Sequence, residues 1–175
     1  MLTHVMAARV RGVFCFAATR LEDIVNIYLM NRLPSPMPPS PGPGAELCTE
    51  EEVAGLVHAF YARIRRDEVL GPIFEAHIND WDHHLAKLVD FWSSILRRTG
   101  RFSGAPMPKH AALPDLSAQL FQRWLMLFRE NAAAQPNQAM AHQANVMAER
   151  IAQSLWMGYQ INRDADHVPA ALGHG

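Results

Sequence analysis

Pro106-Met107-Pro108-Lys109-His110-Ala111-Ala112-Leu113-Pro114 sets a single imidazole, His110, among three prolines. Proline has no amide hydrogen and its ring clashes with the preceding turn, so this stretch is not the interior of a regular helix. It reads as a short, stiff segment that presents one histidine. The sequence on either side has helical periodicity with aromatic residues on the apolar faces, and the upstream part carries a second histidine, His84.

Upstream, Thr49-Glu50-Glu51-Glu52 has the form of a capping box, with the hydroxyl and Glu52 each closing on the other's backbone amide. Val53, Leu56, Val57, Phe60, Tyr61 and Ile64 follow at helical spacing. This helix is expected to end near Asp67, with Gly71-Pro72 opening a tight connection to Ile73-Phe74. Asp80 is positioned to cap a second helix bearing Trp81, His84, Leu85, Leu88, Phe91, Trp92 and Ile95. Steps of three and four bring His84, Leu88, Phe91 and Ile95 close to one line along it. Thr99-Gly100 and Ser103-Gly104 close this helix. Downstream, Asp115 is expected to cap a helix with Leu120, Phe121, Trp124, Leu127 and Phe128 on one stripe. A last helix from Asn137 carries Val146, Met147, Ile151, Leu155 and Tyr159. No strand and no repeat is visible, so the fold class is all-α, with four principal helices.

The chain of 175 residues is long enough for one domain with some left over, and 49% apolar residues supply a core. A formal net charge of −1, with acids and bases interspersed, excludes nucleic acid as the main partner, because phosphate binding needs a concentrated basic face. Cys15 and Cys48 are too few for a disulfide framework and lack metal-ligand spacing, so a cytoplasmic location is expected. Arg9 and Arg11 before the apolar run Val13 to Ala18 faintly echo a secretion signal. The run is short for that, far too short to span a bilayer, and is followed at once by Arg20, Glu22 and Asp23. Residues 1–33 read as an N-terminal extension with room for one short helix. Residues 34–46, built around Pro34-Ser35-Pro36-Met37-Pro38-Pro39-Ser40-Pro41-Gly42-Pro43-Gly44, form an extended linker. The domain is expected over 47–160, and 161–175 as a flexible C-terminal tail.

No nucleotide-binding glycine loop, nucleophile elbow or HExxH zinc motif occurs. Asp82, His83 and His84 are contiguous, so a helix points them in different directions and they cannot grip one metal together. Each aromatic or histidine singled out has an ordinary reading beside the functional one. His84 can be a satisfied core or surface histidine, Tyr61 a core residue with its hydroxyl on a carbonyl, and Trp124 simple packing. His110 can likewise be an ordinary loop histidine, yet a lone imidazole on a stiff segment above an apolar slot has what a haem iron needs as its fifth ligand. The order of the signals carries more than any one of them. Phe60-Tyr61 is followed by His84 on the next long helix, then the proline-bounded His110, then Trp124 on the helix after it.

That order resembles the group III truncated haemoglobins. The resemblance lies in Phe60-Tyr61-Ala62-Arg63-Ile64-Arg65, Leu70-Gly71-Pro72-Ile73-Phe74, Trp81-Asp82-His83-His84-Leu85-Ala86-Lys87 through Phe91-Trp92, Gly100-Arg101-Phe102-Ser103-Gly104-Ala105-Pro106-Met107 with Lys109-His110, and Phe121-Gln122-Arg123-Trp124-Leu125. It covers about residues 47–158 and leaves the extension and the linker unexplained. It implies a truncated globin-like two-over-two helical sandwich around haem b (iron protoporphyrin IX), with His110 as the proximal iron ligand. It also implies a distal site formed by Tyr61, His84 and Trp124. Phe60, Phe74, Leu88 and Met107 would contact the haem, and Arg98, Arg101 and Lys109 are candidate partners for its propionates.

The resemblance makes dioxygen, nitric oxide and carbon monoxide the expected ligands. Dioxygen draws negative charge from a ferrous iron, so donors such as the Tyr61 hydroxyl and the Trp124 indole N–H would favour it over carbon monoxide. The first function implied is dioxygen binding. An enzymatic alternative is oxidation of nitric oxide to nitrate, or peroxidase-like turnover. Because no flavin or nicotinamide domain is recognisable, that alternative calls for an unidentified external reductase. A third is a haem-based gas sensor in which residues 1–44 report ligand state.

Overall fold

The computed structural model describes residues 44–166 and 168–173. The extension 1–33 and most of the linker lie outside the described residues. The described residues form six helices and no strand: α1 (Glu50–Arg66), α2 (Leu70–His77), α3 (Trp81–Leu96), α4 (Pro106–Ala111), α5 (Ala118–Ala133) and α6 (Gln138–Arg163). The all-α expectation holds.

Local signals start most of these helices. Thr49 Oγ1 accepts from the Glu52 amide while the Glu52 carboxylate accepts from the Thr49 amide at 2.7 Å, which is the capping box. Asp80 accepts from the His83 amide and Asn137 from the Met140 amide. The cap of α5 is Ser117, whose hydroxyl accepts from Leu120, and not Asp115. An N-cap needs extended backbone, which Ser117 has, whereas Asp115 sits in the left-handed region at φ 54°.

Prolines misdirect the sequence reading at two places. Leu70–His77 is a helix rather than a tight connection, and the His110 segment contains the six-residue helix α4. Pro72 is the third residue of α2, while Pro106 and Pro108 are the first and third of α4. Amides in a first turn have no intrahelical acceptor, so proline is tolerated there. Gly71 lets α2 approach the end of α1, since a Cβ on it would lie 2.9 Å from the Arg65 carbonyl oxygen.

Helix α1 is central and packs against α2, α3 and α5, while α4 and α5 pack on α6. Its stripe of Val53, Leu56, Val57, Phe60, Tyr61 and Ile64 is buried as its periodicity predicts. Rings continue the core: Trp92, Phe128 and Trp124 stack in sequence with centroids 5.0 and 5.3 Å apart, and the Phe60 edge meets Phe128 and Trp124. On α6 the expected Leu155 and Tyr159 are buried, but the rest of the innermost face is not made of the large residues expected from its sequence. Ala141, Ala144, Ala148 and Ala152 are buried along it, so the helix packs closely through small side chains, and Met147 and Ile151 pack beside them only partly covered.

Polar ties join distant segments. The buried Asn131 donates its amide to the Leu56 carbonyl oxygen at 3.0 Å. Glu50 accepts from the buried Ser93 hydroxyl, from Arg97 and from Arg101. Asp67 accepts from the Val69 and Leu70 amides at the start of α2 and pairs with Arg123 of α5 at 2.7 Å.

The stretch 161–175, expected as a flexible tail, begins with the last turn of α6. Residues 168–173 are hydrogen-bonded back onto the helices. The Gln160 side chain donates to the Ala170 carbonyl oxygen and accepts from the Ala170 amide. Gln153 accepts from the Leu172 amide, and Gln122 of α5 donates to Gly173.

Candidate functional site

Three helices bring the distal candidates together. Tyr61 comes from α1, His84 from α3 and Trp124 from α5. The Tyr61 ring lies 5.9 Å from the His84 ring at 84° and 6.0 Å from Phe74 of α2 at 63°, both edge contacts. Phe60 backs this group, with its edge against Tyr61 and Trp124. Leu88 follows His84 by one turn on the same face and is half-buried against the core.

Burial pushes the Tyr61 phenol well above its usual range, and the neighbouring Trp124 indole opposes that shift. An indole nitrogen can only donate, so toward the Tyr61 oxygen Trp124 can act only as a donor. The phenolic hydrogen is left to donate elsewhere, and a hydroxyl that accepts one bond is polarised to give a stronger second one. His84 is half-buried, and burial holds its imidazole below the usual histidine range, with Lys109, Lys87 and other cations adding to the effect.

His110 lies on α4. Its Nδ1 is 2.8 Å from the Pro106 carbonyl oxygen, which can only accept, so Nδ1 carries the hydrogen and Nε2 is left with a free lone pair. Burial lowers its affinity for a second proton despite the Pro106 bond. A neutral imidazole with one nitrogen anchored on a backbone carbonyl is the form in which histidine ligates metals. In its donor chemistry His110 fits a haem iron.

The remaining candidates separate. Met107 seats its thioether on Gly158 of α6. Arg101 is held by Glu50 at 2.6 Å and Asp90 at 3.0 Å, and Arg98 occupies a left-handed turn at φ 59°. Of the three proposed propionate partners, Lys109 alone lines the open cleft beside His84, a space of about 190 Å³ bordered also by His77, His83 and Lys87. Two residues escaped the sequence reading. Trp81, three positions before His84, has its ring 5.9 Å from the imidazole, and that helical spacing was the available signal. Gly158 in the middle of the α6 pattern was the other, since an interior helix glycine often marks close packing.

No protein-family model matches the chain. It is 36% identical over 109 residues to the group 3 truncated haemoglobin of Campylobacter jejuni, a match spanning 60% of this chain and 84% of the relative. The crystal structure of the group III truncated haemoglobin from Campylobacter jejuni superposes with a TM-score of 0.58 at 34% identity, covering 62% of this chain and 88% of the other.

Proposed function

The chain belongs to the group 3 truncated haemoglobins, and on that premise we propose that it binds haem b through His110 Nε2 and receives dioxygen beside Tyr61. The observation that carries this reading is His110 itself, half-buried, with Nδ1 fixed on the Pro106 carbonyl oxygen and Nε2 free. When bound, haem supplies an iron centre at which diatomic gases coordinate.

The side chains then divide the work. His110 holds the cofactor in one orientation, because its anchored ring cannot flip. Tyr61 donates a hydrogen bond to the gas ligand, and Trp124 fixes and polarises the Tyr61 hydroxyl from behind. Phe60, Phe74 and Leu88 keep the surroundings apolar, which strengthens that bond by excluding water. His84 stands at the solvent side of Tyr61 beside the cleft, and Lys109 is the best placed of the cations to meet a haem carboxylate.

A hydrogen bond to a ligand bearing charge contributes about 1.5–3 kcal/mol. That corresponds to dioxygen release slowed by roughly 10- to 100-fold, at tenfold for each 1.4 kcal/mol. A ligand held this firmly suits chemistry better than delivery. The second reading, oxidation of nitric oxide to nitrate or peroxidase-like turnover, draws its support from this donor pair and requires electrons from an external reductase.

Reconstitution with haemin tests the first reading. The ferric, dithionite-reduced and carbon monoxide-bound spectra should be those of a histidine-ligated haem at one haem per chain, and His110→Ala should abolish stable uptake. Stoichiometric haem with an unchanged spectrum in His110→Ala would refute the assignment of the ligand.

A further inference from the structure

The indole of Trp81 is held from two sides. Its Nε1 donates to Glu75 Oε2 at 3.1 Å, and the Arg65 guanidinium lies over its ring, 4.6 Å from the centroid. The same Glu75 carboxylate accepts from Arg65 Nε through its other oxygen at 2.8 Å. A carboxylate of α2, a guanidinium of α1 and an indole of α3 thus form a closed triangle outside the distal group. The inner side of the indole faces that group: its ring is 5.9 Å from His84 at 90° and 6.4 Å from Tyr61. No hydrogen bond to the His84 ring occurs among the described residues, and Tyr61 meets it edge-on next to the indole. The imidazole is therefore located by two aromatic edges, one of them fixed by the ion pair.

From this geometry we infer that Trp81 is a positioning residue, clamped by Glu75 and Arg65, that holds His84 against Tyr61 and so sets access to the distal site. The inference builds on the haem reading above. Glu75 and Arg65 touch no ligand; they act through the indole, and the indole acts through the imidazole. An exposed ion pair on its own adds little. Here each partner also binds the indole, so loosening either one frees a ring that His84 depends on. An aromatic edge contact is worth enough to change the population of an imidazole orientation by about 2- to 10-fold.

The test uses the haem-loaded protein with carbon monoxide as probe, reading its association rate and its C–O stretching band. Glu75→Ala should speed association by about 2- to 10-fold and shift the band toward that of His84→Ala. Glu75→Gln keeps an acceptor for the indole N–H and should stay nearer the parent protein. In a His84→Ala background, Glu75→Ala should change neither quantity. An equal effect in both backgrounds would mean that the triangle acts on the fold rather than on His84, and no effect in either would also overturn the inference.

Failure of haem uptake by the parent protein would refute the haem reading instead. The clamp is then read from proton resonances of the His84 ring in the purified protein. Ring currents should displace them, with the displacement lost in Trp81→Leu; undisplaced resonances in the parent would refute the clamp.

Discussion

Gly158 of α6 lies directly beneath the Met107 thioether of α4, with no room between them for a Cβ. Met107 is one turn before His110, so the contact fixes how deeply the histidine segment sits against α6. In Gly158→Ala the gain in helix propensity, about 1 kcal/mol, is opposed by overpacking of roughly 1–3 kcal/mol. Net destabilisation and faster haem loss are expected, measured by thermal unfolding and by transfer of haem to an acceptor protein. Met107→Ala in the same chain should restore both. Restoration of stability without slower haem loss would show that the seat of α4 does not control the cofactor.

The donor order proposed for Tyr61 and Trp124 gives a second prediction. Tyr61→Phe should raise the dioxygen dissociation rate by about 10- to 100-fold and carbon monoxide dissociation much less. Trp124→Phe should act in the same direction but more weakly, and should add little once Tyr61 is already Phe. Stopped-flow displacement measures all four proteins. Additive effects would mean that Trp124 meets the ligand directly.

Acid stability follows from Asp67. Arg123 and the Leu70 and Val69 amides hold its carboxyl down at about 2, against the burial that raises it. A carboxylate whose pKa is lower in the folded chain than in the unfolded chain stabilises the fold at pH values above its unfolded pKa. That contribution, on the order of 2 kcal/mol, fades as pH falls from about 4 toward 2. Asp67→Asn should therefore cost about that much at neutral pH and flatten the stability curve across this window, as urea unfolding at stepped pH would register. Parallel curves would exclude Asp67 as the titrating group.

Glu50 should matter more than any one of its partners. Glu50→Ala leaves the buried Ser93 hydroxyl and Arg97 Nε without their acceptor, at an expected cost of about 1–3 kcal/mol. Arg101→Ala removes only a half-exposed ion-pair partner, for which roughly 0–1 kcal/mol is typical. Chemical denaturation separates the two; equal losses would show that Arg101 carries the network.

Much of this was legible in the residues because the signals were local. Thr49, Asp80 and Asn137 announce their helices within three positions, and the α1 stripe is buried as its periodicity requires. Prolines misled where the decisive variable was position within a helix rather than presence: Pro72, Pro106 and Pro108 all fall in first turns. Asp115 has the chemistry of a cap but the wrong backbone angle, and no sequence pattern reveals that. Arg101 looked free for a propionate because its partner Glu50 is 51 residues away. For the distal group, the residue types and their order were readable. That Trp124 comes beside Tyr61 depends on the mutual placement of α1 and α5, which composition and spacing do not encode.

The tail along α6 is attached almost wholly through its own backbone: the Ala170 amide and carbonyl, the Leu172 amide and the Gly173 carbonyl meet glutamine side chains of α6 and α5. Such a seam is indifferent to which side chains the tail carries, apart from the apolar seat of Leu172. It is strict about count. One residue inserted between Ala170 and Leu172 would put Gln153 out of step with Gln160, whereas many substitutions outside Leu172 would pass unnoticed. The tail thus works as a ruler, tolerant of spelling and intolerant of length.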